Sequence, residues 1–227
     1  AVAGMNLQLM SLHAALANWY AEYELSVANT YDALVKEEIE RDQKLTDYYN
    51  KEMTGGKWDG MMLSPHACFV TWNDEGWHYP ETKTICINTM SRMMIHAEND
   101  EMFVSGGTIC LPEFTEIGGE TCEIELANAG AVAYDFKVQA EPGICVSQTE
   151  GTVSNDIVTL QVTIAKKEHK SFERTITITA GNQKVNVKVR FKAAVNVPEG
   201  TFIERDGMVS IEVAHYTEKA AFEGYDF

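Results

Sequence analysis

From residue 121 onward the chain alternates. Cys122, Ile124 and Leu126 alternate with Glu123 and Glu125, and Tyr134, Phe136 and Val138 with Asp135, Lys137 and Gln139. Val158, Leu160, Val162 and Ile164 alternate with Thr159, Gln161 and Thr163. Val185, Val187, Val189 and Phe191 do so with Lys184, Asn186, Lys188 and Arg190. Period two puts each apolar set on one face of a strand and leaves the other face to water. Gly181-Asn182 falls between the Ile176/Ile178 run and the Val185 run, where it signals a hairpin. Asn128-Ala129-Gly130 marks another turn. Short strands at Thr108, Ile144 and Val153 bring the total to about seven, at the spacing of a two-sheet sandwich. An immunoglobulin-like β-sandwich is therefore expected over residues 101–197. It lacks a Cys…Trp…Cys pattern, so it is not of the antibody type.

Residues 1–100 follow another period. Met5, Leu9, Leu12, Leu16 and Trp19 recur at spacings of three and four, and a second such run goes from Val27 to Tyr49. Two antiparallel amphipathic helices follow, the second capped by Ser26 and ended by Gly55-Gly56. Their apolar stripes are too wide for a two-helix coil, so they pack on something further. Residues 57–80 carry Trp58, Trp72 and Trp77 with no sustained period and read as a long aromatic loop, with a short strand at Cys68–Trp72. Residues 84–104 read as a connector whose Met90, Met93, Met94 and Ile95 offer apolar surface. The last segment, 198–227, contains one alternating strand (208–214) and an aromatic tail, too little for a domain of its own. The expected class is α+β: a helical segment with an aromatic loop (1–100), the sandwich (101–197), and the start of a truncated C-terminal domain (198–227).

Composition removes several function classes. Hydrophobic residues are 45% and charged residues 23%, which excludes wholesale disorder. The formal net charge is -16, and the acidic excess is spread through the chain, so no basic stripe exists for nucleic acid or an anionic membrane. No stretch approaches the roughly 20 apolar residues of a membrane span. The opening AVAGMNLQLM has neither a basic nor a hydrophobic signal region, and reads as a processed or cut end. The five cysteines (68, 86, 110, 122 and 145) show no zinc spacing and no C-x-x-C. Buried thiols are expected. One disulfide stays open, with Cys110 and Cys122 as candidates on neighbouring strands.

Three stretches carry a resemblance. KWDGMMLSPHACFVTW, with the preceding Tyr48-Tyr49-Asn50 and Gly55-Gly56, resembles the post-barrel helical region of glycoside hydrolase family 115. That family's version runs Lys-Trp, two residues, a Met pair, then Gln-Thr-His-Ile-Gly-Tyr-Thr, one residue, Trp and soon a Pro. Lys57, Trp58, Met61, Met62, His66 and Trp72 match in order, and Pro80 comes late. ANTYDALVKEEIERDQKLTDYYN resembles the family's last long helices. DGMVSIEVAHYT resembles the opening strand of its C-terminal domain. Ser64-Pro65 and Ala67-Cys68-Phe69-Val70 depart from the pattern, so a contact through the family's Tyr or Thr does not carry over.

The resemblance implies an α-glucuronidase that removes glucuronic acid or its 4-O-methyl ether from xylan with inversion, on a TIM-like barrel preceding the helical region. Such a barrel needs about 250 residues, so the resemblance makes this chain a non-catalytic C-terminal portion. Its implied partners are the barrel of the parent protein and xylan-type polysaccharide, and its implied location is extracytoplasmic. A homodimer is a further expectation, and no cofactor or metal is expected. The alternatives are a stand-alone carbohydrate-binding or adhesion module and, third, an enzyme using the Trp-His loop. A bare apolar helical face would favour the first reading, and a fully polar surface the second.

No acid/base pair for glycoside hydrolysis is readable. Asp74-Glu75 reads as a turn, Glu212 as a wet strand face, and Glu37, Glu38 and Glu40 as a solvated helix face. His66 and His78 with Asp74 are only weakly metal-like. His66 is expected to order the loop or to wall a sugar site. Trp58, Trp72, Trp77 and Tyr79 suit either stacking on sugar rings or gluing elements together. Three tryptophans and a Met pair without a charge cluster suit an interface, with Trp58 anchoring the loop against the helices.

Overall fold

The alternating runs pair as their apolar faces require. The computed structural model describes residues 2–62, 78–115, 121–165, 170–193, 201–202, 204–205, 208–209 and 211. One sheet orders β1 (Met93–Ala97), β4 (Thr121–Asn128), β8 (Val158–Ile164) and β6 (Ile144–Val146). The other orders β2 (Gly107–Cys110), β10 (Gln183–Lys192), β9 (Phe172–Ala180), β5 (Tyr134–Ala140) and β7 (Glu150–Val153), with β3 (Phe114–Thr115) also on β10. Pairing within these sheets is antiparallel except where β2 and β3 run parallel to β10. The sheets face each other through Ile124, Leu126, Leu160 and Val162 on one side and Phe136, Ile176, Ile178, Val187 and Val189 on the other. Each large side chain so buried contributes about 1.5–3 kcal/mol. Gly181 takes φ 54° at the β9–β10 turn, in the left-handed region open to glycine. A two-strand pair, β11 (Glu204–Arg205) with β12 (Met208–Val209), follows.

The connector reading of 84–104 needs correction, because it contains β1. Met93–Ala97 pairs with Asn128–Ile124 in register, and the sheet thus takes in residues before position 100. The strand escaped the period-two test because both its faces are covered. Met93, Ile95 and Ala97 enter the sandwich core, while Met94 lies under the helices. The segment before it is laid against the β4–β5 turn, where Ala129 and Ala131 donate to the carbonyls of Arg92 and Asn88. A Cβ on Gly130 would stand 1.7 Å from the Met90 carbonyl oxygen, so only glycine permits this approach.

Two antiparallel helices, α1 (Val2–Glu22) and α2 (Val27–Asp47), form a hairpin. α1 ends in a Schellman motif: Leu25 N–H bonds the Tyr20 carbonyl and Glu24 N–H that of Ala21. Glu24 holds the left-handed position, φ 56°, where glycine is usual. Leu25 is fully buried by the turn. The expected Ser26 cap is corrected, since Ser26 is itself helical and its hydroxyl donates to the Ser154 carbonyl on the sandwich. α2 runs into a π-helical turn at Tyr48–Glu52 and a 3-10 turn at Met53–Gly56. There Thr54, Gly55 and Gly56 all take positive φ and reverse the chain.

The cysteine expectations also change. Cys122 is buried in the core, but Cys86, Cys110 and Cys145 are exposed free thiols. Cys110 lies on β2 opposite Lys188 and Cys122 on β4 opposite Val162, so the two belong to different sheets. Cys68 lies outside the described residues.

Candidate functional site

The hairpin grips an extended strap, residues 79–85, with side chains. Asn18 donates to the Glu81 carbonyl and accepts from Lys83 N–H, at 2.9 and 3.1 Å. Asn29 repeats the device on Ile85, at 3.0 Å in both directions. Each amide thus imitates a strand neighbour, presenting one donor and one acceptor to the backbone. Between them Asp32, buried on α2, accepts from the hydroxyls of Thr82 and Thr84 and from Lys36 Nζ. Burial alone would raise the Asp32 carboxyl, but these donors outweigh it and hold its pKa below the ordinary value. One helical turn beyond Glu38, Asp42 accepts from the Tyr79 hydroxyl at 2.9 Å. Burial and that bond push the Tyr79 phenol up to about 12.

Glu38 overturns the solvated-face reading for one of its three members. Glu37 and Glu40 are exposed, but Glu38 is 5% exposed and turned against α1. Its Oε1 meets His13 Nδ1 at 2.8 Å, and its carbonyl accepts from Asn6 Nδ2. Glu38 Oε2 and Asn6 Oδ1 are buried without a hydrogen-bond partner. Asp32, Glu38 and Asp42 stand three residues before, three after and seven after buried Val35, on the face of α2 that it centres. That relation to an apolar position was the available signal, obscured because charged residues on a helix usually mark the wet side.

Where the hairpin meets the sandwich, aromatic rings join the hydrogen bonds that Ser26 and Tyr23 donate across the junction. Phe103 lies 5.5 Å from Trp19, 5.4 Å from Tyr23 and 6.1 Å from Tyr20. His96, on the outer face of β1, stacks on Phe103 at 5.1 Å and meets Trp19 edge-on at 5.6 Å. Burial beside Glu125 drives the Tyr20 phenol well above its ordinary range. The sequence reading put Trp19 in a helical stripe but did not pair it with His96, which lies on the strand it had read as connector.

Of the residues expected to form a site, the structure describes Trp58 and His78. Trp58 is half-buried, with Lys57 Nζ 5.0 Å from its ring centre, so it is not a fully buried anchor. The loop is tied instead by Asn50, buried, whose Oδ1 accepts from Met62 N–H at 2.9 Å. His78 Nδ1 meets the Tyr79 carbonyl. His66, Trp72, Trp77, Asp74, Glu75, Glu212 and the expected strand at 68–72 lie outside the described residues. Beside Met62 is an open apolar concavity of about 630 Å³, lined by Val2, Leu7, Leu45, Tyr48, Met53 and others. Among the described residues no three His, Cys, Asp or Glu side chains gather as metal ligands would. The arrangement positions chain segments by hydrogen bonds and ring contacts, and these residues set no carboxylate pair across a cleft.

No protein-family model and no curated protein matches the chain. Parts of solved structures do, at low identity. A Caenorhabditis elegans MSP family member, WR4, is similar at 14% identity over 44% of this chain and 98% of its own, TM-score 0.30. The PapD-like domain 7 of human CEP192 is similar at 13% identity over 53% of this chain and 97% of its own, TM-score 0.31. A Bacteroides ovatus GH5 xyloglucanase is similar at 16% identity over 50% of this chain but 22% of its own, TM-score 0.30. What the coordinates themselves define is an α+β chain, a helical hairpin against two packed, mostly antiparallel sheets.

Proposed function

We propose that this chain is a non-catalytic C-terminal part of a family 115-like α-glucuronidase acting on glucuronoxylan, with an immunoglobulin-like sandwich as its β portion. Its work is to hold the helical region, the aromatic loop and the sandwich in fixed relation beside the catalytic barrel of the parent protein. The observation that carries this reading is α1. From Val2 to Ala21 it has no Asp, Glu, Lys or Arg, although the chain as a whole carries -16. On its outward side Val2, Met5 and Leu12 are 66%, 63% and 54% exposed. An apolar, uncharged outward face of this kind suits cover by a neighbouring domain. Tyr48, Met53 and Met61 extend the exposed apolar surface to the far end of the hairpin. The same end holds Gly55-Gly56-Lys57-Trp58 and Met61-Met62, the residues that resemble the family.

Complementation in trans tests this. A family 115 barrel lacking its post-barrel region is mixed with the chain, and release of glucuronic acid from xylan oligosaccharides is followed. The chain alone releases none, the mixture recovers activity, and Met5→Glu with Leu12→Glu abolishes the recovery. Retention of the chain alone on xylan, without complementation and lost in Trp58→Ala, would replace this reading with the stand-alone binding module. Release of glucuronic acid by the chain alone would replace it with the autonomous enzyme.

A further inference from the structure

His96 is held in a way that only its charged form satisfies. Its Nε2 lies 2.9 Å from the Asp100 carbonyl oxygen, an atom that can only accept. Its Nδ1 lies 3.1 Å from Glu125 Oε2. A neutral imidazole has one donor and one acceptor nitrogen, whereas two donors exist only in the imidazolium. With Nε2–H committed to the carbonyl, loss of the Nδ1 proton to water leaves a ring lone pair facing a carboxylate lone pair, and the contact must open. The face of Phe103, stacked on it, favours the cation too, and Trp19 of α1 meets it at a near-perpendicular angle.

We propose that His96 is a proton-dependent latch that seats the helical hairpin on the sandwich, closed when His96 is protonated and loosened when it is neutral. The latch joins β1, β4, the loop after β1 and the end of the first helix. β1 and β4 supply His96 and Glu125. The loop after β1 supplies the Asp100 carbonyl and Phe103. α1 supplies Trp19, and the turn after it supplies Tyr23, whose hydroxyl donates to the Glu101 carbonyl at 3.0 Å. The ionisable groups around it are Glu125 on β4, Asp100 and Glu101 in the loop, Tyr20 on α1 and Tyr23 in the turn that follows. The hydrogen bond that His96 donates to Glu125 leads the influences on His96, and with the Asp100 carbonyl it outweighs burial and raises the pKa above the ordinary 6.5. A raised folded-state value means the latch contributes fully below 6.5 and is lost as pH rises from there through the raised value. Between the two values, opening becomes at most about tenfold easier for each pH unit.

Amide hydrogen exchange of the whole chain between pH 5.5 and 8.5, corrected for intrinsic exchange, tests this, with His96 followed by NMR. The α1 amides around Trp19 should exchange faster as His96 titrates, while β9 and β10 amides hold. Glu125→Gln should move both the His96 titration and the α1 transition to lower pH, and His96→Phe should abolish the transition. Unchanged α1 protection through the His96 titration overturns the proposal. So does a transition that survives in His96→Phe. If His96→Phe does not fold, a Glu125→Gln transition that stays at the wild-type pH overturns it equally.

Discussion

The sandwich and the helical hairpin are stabilised by different physics. The sandwich core is continuous and apolar, from Met93 and Ile95 through Phe136 and Ile178 to Val189. The hairpin's own core is Met10, Ala14 and Val35 with a few half-buried neighbours. Besides the apolar residues it seats on the sandwich, Tyr20, Leu25, Val27 and Ala28 among them, it buries polar ones: Asn6, Asp32, Glu38, Asp42 and Asn50. Area removed from water stabilises the first without regard to direction. The second depends on matched donors and acceptors, which add little net stability when made and cost much when broken.

The largest effect expected from this contrast is in the sandwich. Phe136 is 1% exposed and its ring covers Gly151 on the paired strand. Phe136→Ala should cost about 3–5 kcal/mol in urea unfolding of the whole chain. A loss equal to that of a hairpin polar change would erase the distinction between the two regions.

Asp32→Asn comes next. It keeps the shape but removes the charge that holds Lys36, Thr82 and Thr84, at a cost of roughly 1–3 kcal/mol at neutral pH. The Asp32 pKa is lowered in the fold, so its contribution is present above the unfolded value of 3.8 and is lost as pH falls through the folded one. The gap between variant and parent should therefore close on acidification. A gap that stays constant down to pH 2 would mean that the strap is held by packing alone.

Glu38→Gln should have the smallest effect, within about 1 kcal/mol of the parent. It loses the ionic character of the His13 contact, but it replaces a buried charge whose second oxygen has no donor. A loss matching that of Asp32→Asn would show the His13–Glu38 pair to be as important to the hairpin as the strap.

The alternating runs were legible because each strand of β4, β5, β8, β9 and β10 is covered on one side over most of its length. A one-dimensional period then reports the fold directly. β1 was illegible for the converse reason: Met93-Met94-Ile95 is apolar on both faces because the core covers one face and the hairpin the other. The helices were legible by period, as was their end at Gly55-Gly56. Their polar contacts were not, since the strap residues bonded to Asn18, Asn29 and Asp32 lie 50 to 65 residues away in sequence, and nothing local announces such a pairing. Trp58 stood out by composition, and composition overstated its burial.

The sequence by itself determined the class of each half and the lack of charge on α1, because both are read from local composition and spacing. The tertiary structure alone decided which acidic residues turn inward, that Cys110 and Cys122 sit on opposite sheets, and that His96 meets Trp19 and Glu125. These depend on where distant backbones come to rest, and a side chain's surroundings, unlike its period, are not encoded by its neighbours along the chain.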